Sequence, residues 1–367
     1  MDNLAYSARM RSGKQDLRES EELMVRKPRE EASVRIGAAR AVPAVLRSLG
    51  ENPAEVLAEV GLVPELFDNP DSRISFALRS RLFKHCVDRT GCQHFGLLVG
   101  QQAGLHSLGL VGLLVQHSPD VGNALRSLVR CLHLHVRGAV ATLAVSERTA
   151  MLSYSIYEVH VEATDQIGDG AVAVMFNILA TLCGPEWKPV EVQFAHRRPD
   201  DLRPFHDAFR TSLRFDAEQN SVVFSVDWLQ RPVAGANAEL RSQLQAQIDA
   251  LELAHGGDFQ EQVRAVLRGL LIADHASAGR IAELFSMHTR TLSRRLDACG
   301  TSVQLLIDEG RFEIARQMLM DTDVDIQRIA VTLDYADASA FTRAFRRWSG
   351  VTPSRWRANR ERPNQAG

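Results

Sequence analysis

Two segments of this chain carry one pattern, and that repetition restricts the C-terminal fold more than any other feature. Set IAELFSMHTRTLSRRL (281–296) beside IAVTLDYADASAFTRAF (329–345). Ile281, Ala282, Phe285 and Met287 match Ile329, Ala330, Leu333 and Tyr335. After one inserted residue, Leu292-Ser293-Arg294 and Leu296 match Phe341-Thr342-Arg343 and Phe345. Such self-similarity means one supersecondary unit used twice. Each copy reads as a short helix, a tight turn at Ser286 or Asp334, and a second helix with Leu292/Leu296 or Phe341/Phe345 inward, a helix-turn-helix arrangement. Ala338, Phe341, Phe345 and Trp348 then form the inner stripe of the last such helix. Ser339, Thr342, Arg343 and Arg346 share its outer face, followed by Arg347, while Thr289, Arg290, Ser293, Arg294 and Asp297 lie outward in the first copy.

An arginine-studded outer face on a single amphipathic helix is ordinarily a solvated face. Two such faces at matching offsets, in a region of local basic excess, point to a polyanion. Residues 261–360 hold 15 arginines against 12 acidic residues, whereas the rest of the chain holds 28 basic against 33 acidic, inside a formal net charge of −2. A guanidinium can reach guanine O6 and N7 together or clamp a phosphate, so Thr289, Arg290, Ser293, Arg294, Ser339, Thr342, Arg343, Arg346 and Arg347 are the candidate DNA-binding residues.

The stretch IAVTLDYADASAFTRAFRRWSGVTPSRWR resembles the second helix-turn-helix of the AraC/XylS family of bacterial transcription regulators. The shared residues are Tyr335, Asp337 with Ser339, Phe341 with Arg343 and Phe345, and Gly350 with Thr352-Pro353. The segments LGLVGLLVQHSPDVGNAL (108–125) and WKPVEVQFAHRRPDD through LRFDAEQNSVVF (187–224) resemble the arabinose-binding-type effector domain of one branch of that family. The resemblance implies a sequence-specific regulator of transcription, a small-molecule effector in the N-terminal domain, a homodimer, and RNA polymerase as a partner in the case of an activator. A regulator without ligand, whose N-terminal domain only dimerises, is the alternative. The chain departs from the family in its turns, where Ser286 and Asp334 replace the usual glycine. Gly310, inside the helix that joins the two units, costs ~1 kcal/mol relative to alanine.

A length of 367 residues favours two domains. Residues 1–33 are charge-dense and poor in apolar residues, and are expected to be a disordered extension. From 34 to 235 the pattern is α+β. Asn52-Pro53 opens a helix that Gly61 closes, Leu78, Leu82 and Cys86 form a helical stripe, and Ser118-Pro119 starts a helix bearing Val121, Leu125, Leu128 and Leu132. Ala139–Val145 and AMLSYSIY make a hairpin, a helix runs from Ile167 to a stop at Gly184-Pro185, and strands follow near Val190–Phe194, Ser212–Phe215 and Val222–Ser225. Residues 236–257 read as a linker helix with Leu240, Leu244, Ile248 and Leu251 in line, broken at Gly256-Gly257. Residues 258–360 are helical throughout and form the expected DNA-binding domain, with 361–367 as a tail. The fold class is an α+β effector domain followed by an all-α domain with two helix-turn-helix units.

Other chemistries find little support. Cys86, Cys92, Cys131, Cys183 and Cys299 include no CxxC pair, and none sits in a Pro-Cys or Cys-His setting, so neither a zinc site nor an alkyl-accepting thiol is indicated. In HLHVR (133–137), His133 and His135 have the spacing of one side of a strand, with His160 across the hairpin. Strand-edge histidines explain that pattern, and with Arg137 and Tyr154 they are also the candidate effector contacts; without a nearby carboxylate or thiol the metal signal is weak. No phosphate-cradling loop and no nucleophile triad appears, so no enzyme, cofactor or metal is expected. The longest apolar stretch, Ala171–Cys183, is shorter than the ~20 residues of a span, which implies a cytoplasmic protein without a membrane segment.

Overall fold

The computed structural model describes residues 32–156, 158, 161–254, 259–272, 276–285, 287–321 and 324–360. The extension to residue 31, His160, Gly256-Gly257, Ser286 and the tail 361–367 lie outside the described residues. By packing, the chain divides into two compact units: Glu31–Val266 with Ala278–Thr301, and Leu267–Ser277 with the described residues from Ser302 onward.

The first unit opens with β1 (Ser33–Arg35) and the helices α1 (Val42–Ser48) and α2 (Pro53–Glu59), the latter capped by Asn52, whose Oδ1 accepts from the Ala54 N–H at 3.1 Å. β2 (Arg73–Ser75) pairs antiparallel with β1 and leads into α3 (Phe76–Thr90), capped by Ser75. Then come α4 (Phe95–Gln101), α5 (Leu110–Gln116) and α6 (Val121–Cys131). Asp120, two residues beyond the expected Ser118-Pro119 start, caps α6 because its Oδ1 takes the Asn123 N–H at 2.7 Å.

β3 (Ala139–Val145) and β4 (Thr149–Ile156) form the expected hairpin. α7 (Thr164–Cys183) follows and ends at Gly184, whose φ is positive at +86°. β5 (Glu191–Gln193), the helix α8 (Arg203–Phe209), β6 (Ser212–Arg214) and β7 (Asn220–Ser225) complete a five-stranded sheet of order β3-β4-β7-β5-β6, antiparallel except between β5 and β6. α7 packs on β4 and β7, and α6 on β3. In register, Ala141 faces Tyr154 and Leu143 faces Leu152 across the hairpin, so these four side chains share the helix-covered face. The other face is also covered here, since Val140, Thr142 and Ser153 are buried.

Helix α7 runs 20 residues, longer than its apolar run suggested, and is long and apolar enough by composition to cross a membrane. It serves instead as the central core helix, with Ile167, Val172, Ile178 and Leu179 buried. Its contact with α4 is close because glycines meet there. A Cβ on Gly96 would stand 1.9 Å from the Gln166 carbonyl oxygen, and one on Gly100 would stand 2.4 Å from that of Gly170.

α9 (Ala238–Ala254) buries Leu244 and Ile248 but leaves Leu240 and Leu251 exposed, so only half of its expected stripe is used. α10 (Phe259–Ile272), α11 (Ala278–Leu284) and α12 (Thr289–Ala298) follow, and Phe259 packs edge-on to Phe285. In the second unit, α13 (Val303–Asp321), α14 (Ile326–Thr332), α15 (Ala338–Ser349) and α16 (Pro353–Arg360) enclose a core of Phe312, Ala315, Leu319, Ile329, Ala330, Leu333, Phe341 and Phe345. Gly310 has a packing reason: a Cβ there would meet Leu271 Cδ1 at 2.6 Å.

Candidate nucleic-acid interface and internal cavity

The repeat seen in the sequence is a repeat of geometry. In the first copy the Phe285 N–H donates to the Ile281 carbonyl at 3.0 Å and the Met287 N–H reaches back to the Ala282 carbonyl at 2.9 Å. In the second, Leu333 donates to Ile329 at 3.1 Å and Tyr335 to Ala330 at 2.9 Å. The second bond of each pair is the six-residue closure that ends a helix, and in the second copy it encloses a left-handed residue. Asp334 occupies that position with φ +58°, as its tolerance of left-handed backbone allows, and its carboxylate accepts from Arg311 Nη2 at 3.2 Å. Burial repeats as well: Ile281 and Ile329, Phe285 and Leu333, Leu292 and Phe341, and Leu296 and Phe345 are all buried.

The second helices of the two units differ at their starts. The Asp337 carboxylate accepts the Ala340 N–H at 2.6 Å and closes the first turn of α15, whereas His288 precedes α12 in an extended conformation without a side-chain cap. Behind α15 the rings form a connected cluster. Phe312 contacts Phe345, Trp348 and Trp356 at centroid distances of 5.5, 6.1 and 6.0 Å, and Tyr335 contacts Phe341 at 5.7 Å. Aromatic pairs contribute ~0.5–1.5 kcal/mol each beyond area burial, which fixes the orientation of the outer face.

On that outer face Ser339, Arg343, Arg346 and Arg347 are exposed and Thr342 is half-buried. Thr289, Arg290, Ser293 and Arg294 are exposed on α12. Arg347 pairs with Asp308 at 3.2 Å. Arg290, Arg294, Arg343 and Arg346 have no ion-pair or hydrogen-bond partner among the described residues, unlike Arg295, which lies over the Phe259 ring at 4.1 Å. Four unpaired guanidinium groups on two matching helices can bind phosphate oxygens or base edges without first breaking an internal contact.

The four candidate effector residues part company. HLHVR is not a strand: Leu132–Leu134 is a tight helical turn, and Val136 makes only an isolated bridge to Val34. His133 and His135 therefore do not share a strand side. His133 is buried with its Nδ1 3.0 Å from the Arg130 carbonyl oxygen, and burial pushes its pKa down to about 4. Arg137 is half-buried, and neither it nor His133 lines the internal cavity. His135 and Tyr154 do line it.

This cavity, of about 90 Å³, lies inside the first unit among α3, α4, α6, α7 and the β3-β4 hairpin. Among the described residues its lining is apolar apart from Arg79, His135 and Tyr154. Arg79 is 8% exposed; its guanidinium lies over the Phe76 ring at 4.3 Å, and its Nε and Nη2 have no hydrogen-bond partner. His135 is 3% exposed with Nδ1 likewise without a partner, and burial, reinforced by Arg35, Arg79 and Arg73, pushes its pKa down to about 3, so the ring is neutral near pH 7. Arg79 escaped the sequence reading because the stripe was placed on Leu78, Leu82 and Cys86; the spacing to Phe83 and Cys86 equally puts Arg79 inward. Desolvation pushes the thiols of the buried Cys86 and the half-buried Cys183 up to about 12, which keeps both protonated.

A family model for the arabinose-binding domain of AraC transcription regulators matches residues 50–233, and a helix-turn-helix domain model matches residues 281–359. The ornithine utilization regulator of Pseudomonas aeruginosa is 28% identical over 303 residues, spanning 80% of this chain and 87% of the relative. The HTH-type transcriptional regulator VirS of Mycobacterium tuberculosis is 28% identical over 320 residues, spanning 86% and 93%. The crystal structure of the transcriptional regulator CdpR from Pseudomonas aeruginosa covers 88% of this chain and 98% of that chain at 20% identity, with a TM-score of 0.45. These relatives are regulators, not enzymes.

Proposed function

The chain belongs to the AraC family of transcription regulators, and from that premise we propose that it reads DNA with both helix-turn-helix units under the control of a small molecule held in its N-terminal domain. It is a DNA-binding transcription regulator with an arabinose-binding-type N-terminal domain. The finer reading is ours: residues 34–235 sense, 236–257 link, and 258–360 bind double-stranded DNA in the cytoplasm. A homodimer forms through the first domain, and the chain contacts RNA polymerase where it activates. Thr289, Arg290, Ser293 and Arg294 enter one major groove, and Ser339, Thr342, Arg343, Arg346 and Arg347 the next.

The observation that carries the reading is the repeated helix-end bonding with the unpaired Arg294 and Arg343 at equivalent places on α12 and α15. A 19-residue α13 between the copies spans ~28 Å at 1.5 Å per residue, close to one DNA turn of ~34 Å. The mainly apolar cavity with unsatisfied buried polar atoms favours effector control over a domain that only dimerises. Selection of duplexes from a random pool by the full chain, followed by hydroxyl-radical footprinting, tests it. Protected patches in pairs about one turn apart on one face are expected; one patch per bound chain would refute the tandem reading.

A further inference from the structure

We propose that the cavity of the first unit takes a small monocarboxylic acid with a compact apolar body, its carboxylate held by Arg79 and its hydrocarbon portion lodged against α7 and the β3-β4 hairpin. The inference rests on the reading of this domain as an effector domain and adds the chemical class of the effector.

The charge of the ligand follows from what the cavity leaves unmatched. A buried cation is costly unless a counter-charge or hydrogen bonds meet it. Arg79 is buried, and among the described residues its Nε and Nη2 have no partner and no Asp or Glu lines the cavity. A carboxylate matches the guanidinium fork with two parallel hydrogen bonds. His135, kept neutral by burial, adds one ring nitrogen without a partner beside this cation. One anionic oxygen pair therefore satisfies the polar atoms that the fold leaves open.

The rest of the wall decides what the ligand lacks. Beyond Arg79, His135 and Tyr154, the lining side chains carry no polar groups; Phe83, Leu128, Leu152, Val174, Met175 and Ile178 are typical of it. A sugar would bury several hydroxyls without partners, and a dianion would leave a net negative charge in an apolar wall. An amino acid would place an ammonium beside Arg79 with no carboxylate to receive it. This separates the chain from what the name of its ornithine-related relative would suggest. Volume sets the scale of the part that is held: one water needs ~10–15 Å³ of such volume, so about 90 Å³ seats roughly six to nine non-hydrogen atoms. Hexanoate and benzoate fall in that range.

The test uses the full chain, with calorimetric titration and thermal shift against hexanoate, benzoate, hexan-1-ol, hexanamide and 6-aminohexanoate. The two simple carboxylates are expected to bind at least 10-fold more tightly than the alcohol, the amide or the amino acid. Arg79→Met is expected to weaken them by about 10- to 100-fold, the range of a lost charge-assisted pair, to weaken hexan-1-ol, whose hydroxyl makes only a neutral hydrogen bond, by less, and to leave the melting temperature no lower. Ala141→Leu, which fills the cavity, is expected to abolish binding of every compound. Carboxylates that bind no better than the neutral compounds, or equally well to Arg79→Met, overturn the ligand class, while blocked binding of a neutral compound or 6-aminohexanoate in Ala141→Leu preserves the effector reading. Absence of binding by every compound, together with unaltered DNA affinity of Ala141→Leu, overturns both.

Discussion

Replacing Arg343 by alanine isolates DNA recognition from folding more cleanly than any other change in α15. Arg343 is exposed and has no partner among the described residues, and alanine is as good a helix former as arginine, so the folding free energy should move by no more than ~0.5 kcal/mol. If its fork reads a base, operator affinity falls by ~1–3 kcal/mol, about 5- to 150-fold, and selectivity relaxes at one base pair. If it contacts phosphate, operator and scrambled duplex weaken alike and the salt dependence drops by about one counterion. Arg347 supplies the internal control: it is already paired with Asp308 at 3.2 Å, so DNA must compete for it and Arg347→Ala should cost less. Fluorescence anisotropy with operator and scrambled duplexes at several salt concentrations measures both variants. Unchanged affinity in Arg290→Ala, Arg294→Ala and Arg343→Ala, with melting curves intact, would remove these helices from the DNA interface.

Three further outcomes are expected. Asp334→Gly should leave stability equal or raise it by up to about 1 kcal/mol, because relief of a left-handed non-glycine residue offsets the exposed pair with Arg311, whereas Asp334→Val should lower it by ~1–2 kcal/mol in urea denaturation. His288→Ser supplies the missing cap of α12 and should raise stability by ~0.5–1 kcal/mol with an unchanged denaturant slope. His135 has a folded pKa of about 3 against an ordinary value near 6.5, so the unfolded chain binds the proton more readily and stability falls as pH drops from about 6.5 toward 3. His133 acts in the same sense down to about 4, while Asp169, raised to about 6 chiefly by burial, gains stability between about 6 and 3.8. Denaturation midpoints from pH 7 to 4 should therefore slope less in His135→Gln than in the native chain; an identical slope would show that His135 does not titrate in this way.

What the sequence showed and concealed divides along the length of the structural signal. The repeat was legible because each copy is short, local and built on helical spacing: Ile281, Phe285, Leu292 and Leu296 are buried at the positions of Ile329, Leu333, Phe341 and Phe345, and Asp334 marks the second turn. The hairpin and α7 were legible for the same reason. β1, β2 and α8 were not: β1 and β2 pair only with each other and run straight into helical turns, and α8 offers only one short turn pattern after Pro204. Leu240 and Leu251 had the spacing of buried residues yet remain exposed, because periodicity finds an apolar stripe but not how much of it a partner covers.

The two sites differ in the same way. A recognition helix carries its function on one face of one element, so spacing alone exposes its residues. The cavity is assembled from side chains between Ala38 and Ile178, and none of its elements is unusual by itself. His133 and His135 drew attention through their adjacency, but a helical turn at Leu132–Leu134 separates their roles: one is tied up at the Arg130 carbonyl while the other reaches the cavity. Arg79 drew none, because a lone arginine in an amphipathic helix ordinarily faces water. Its significance arises only when tertiary packing brings Phe76, His135 and the apolar wall around it and leaves its guanidinium nitrogens unmatched. Polar groups that a fold buries and does not satisfy are therefore the signal for this kind of site, and they exist only in three dimensions.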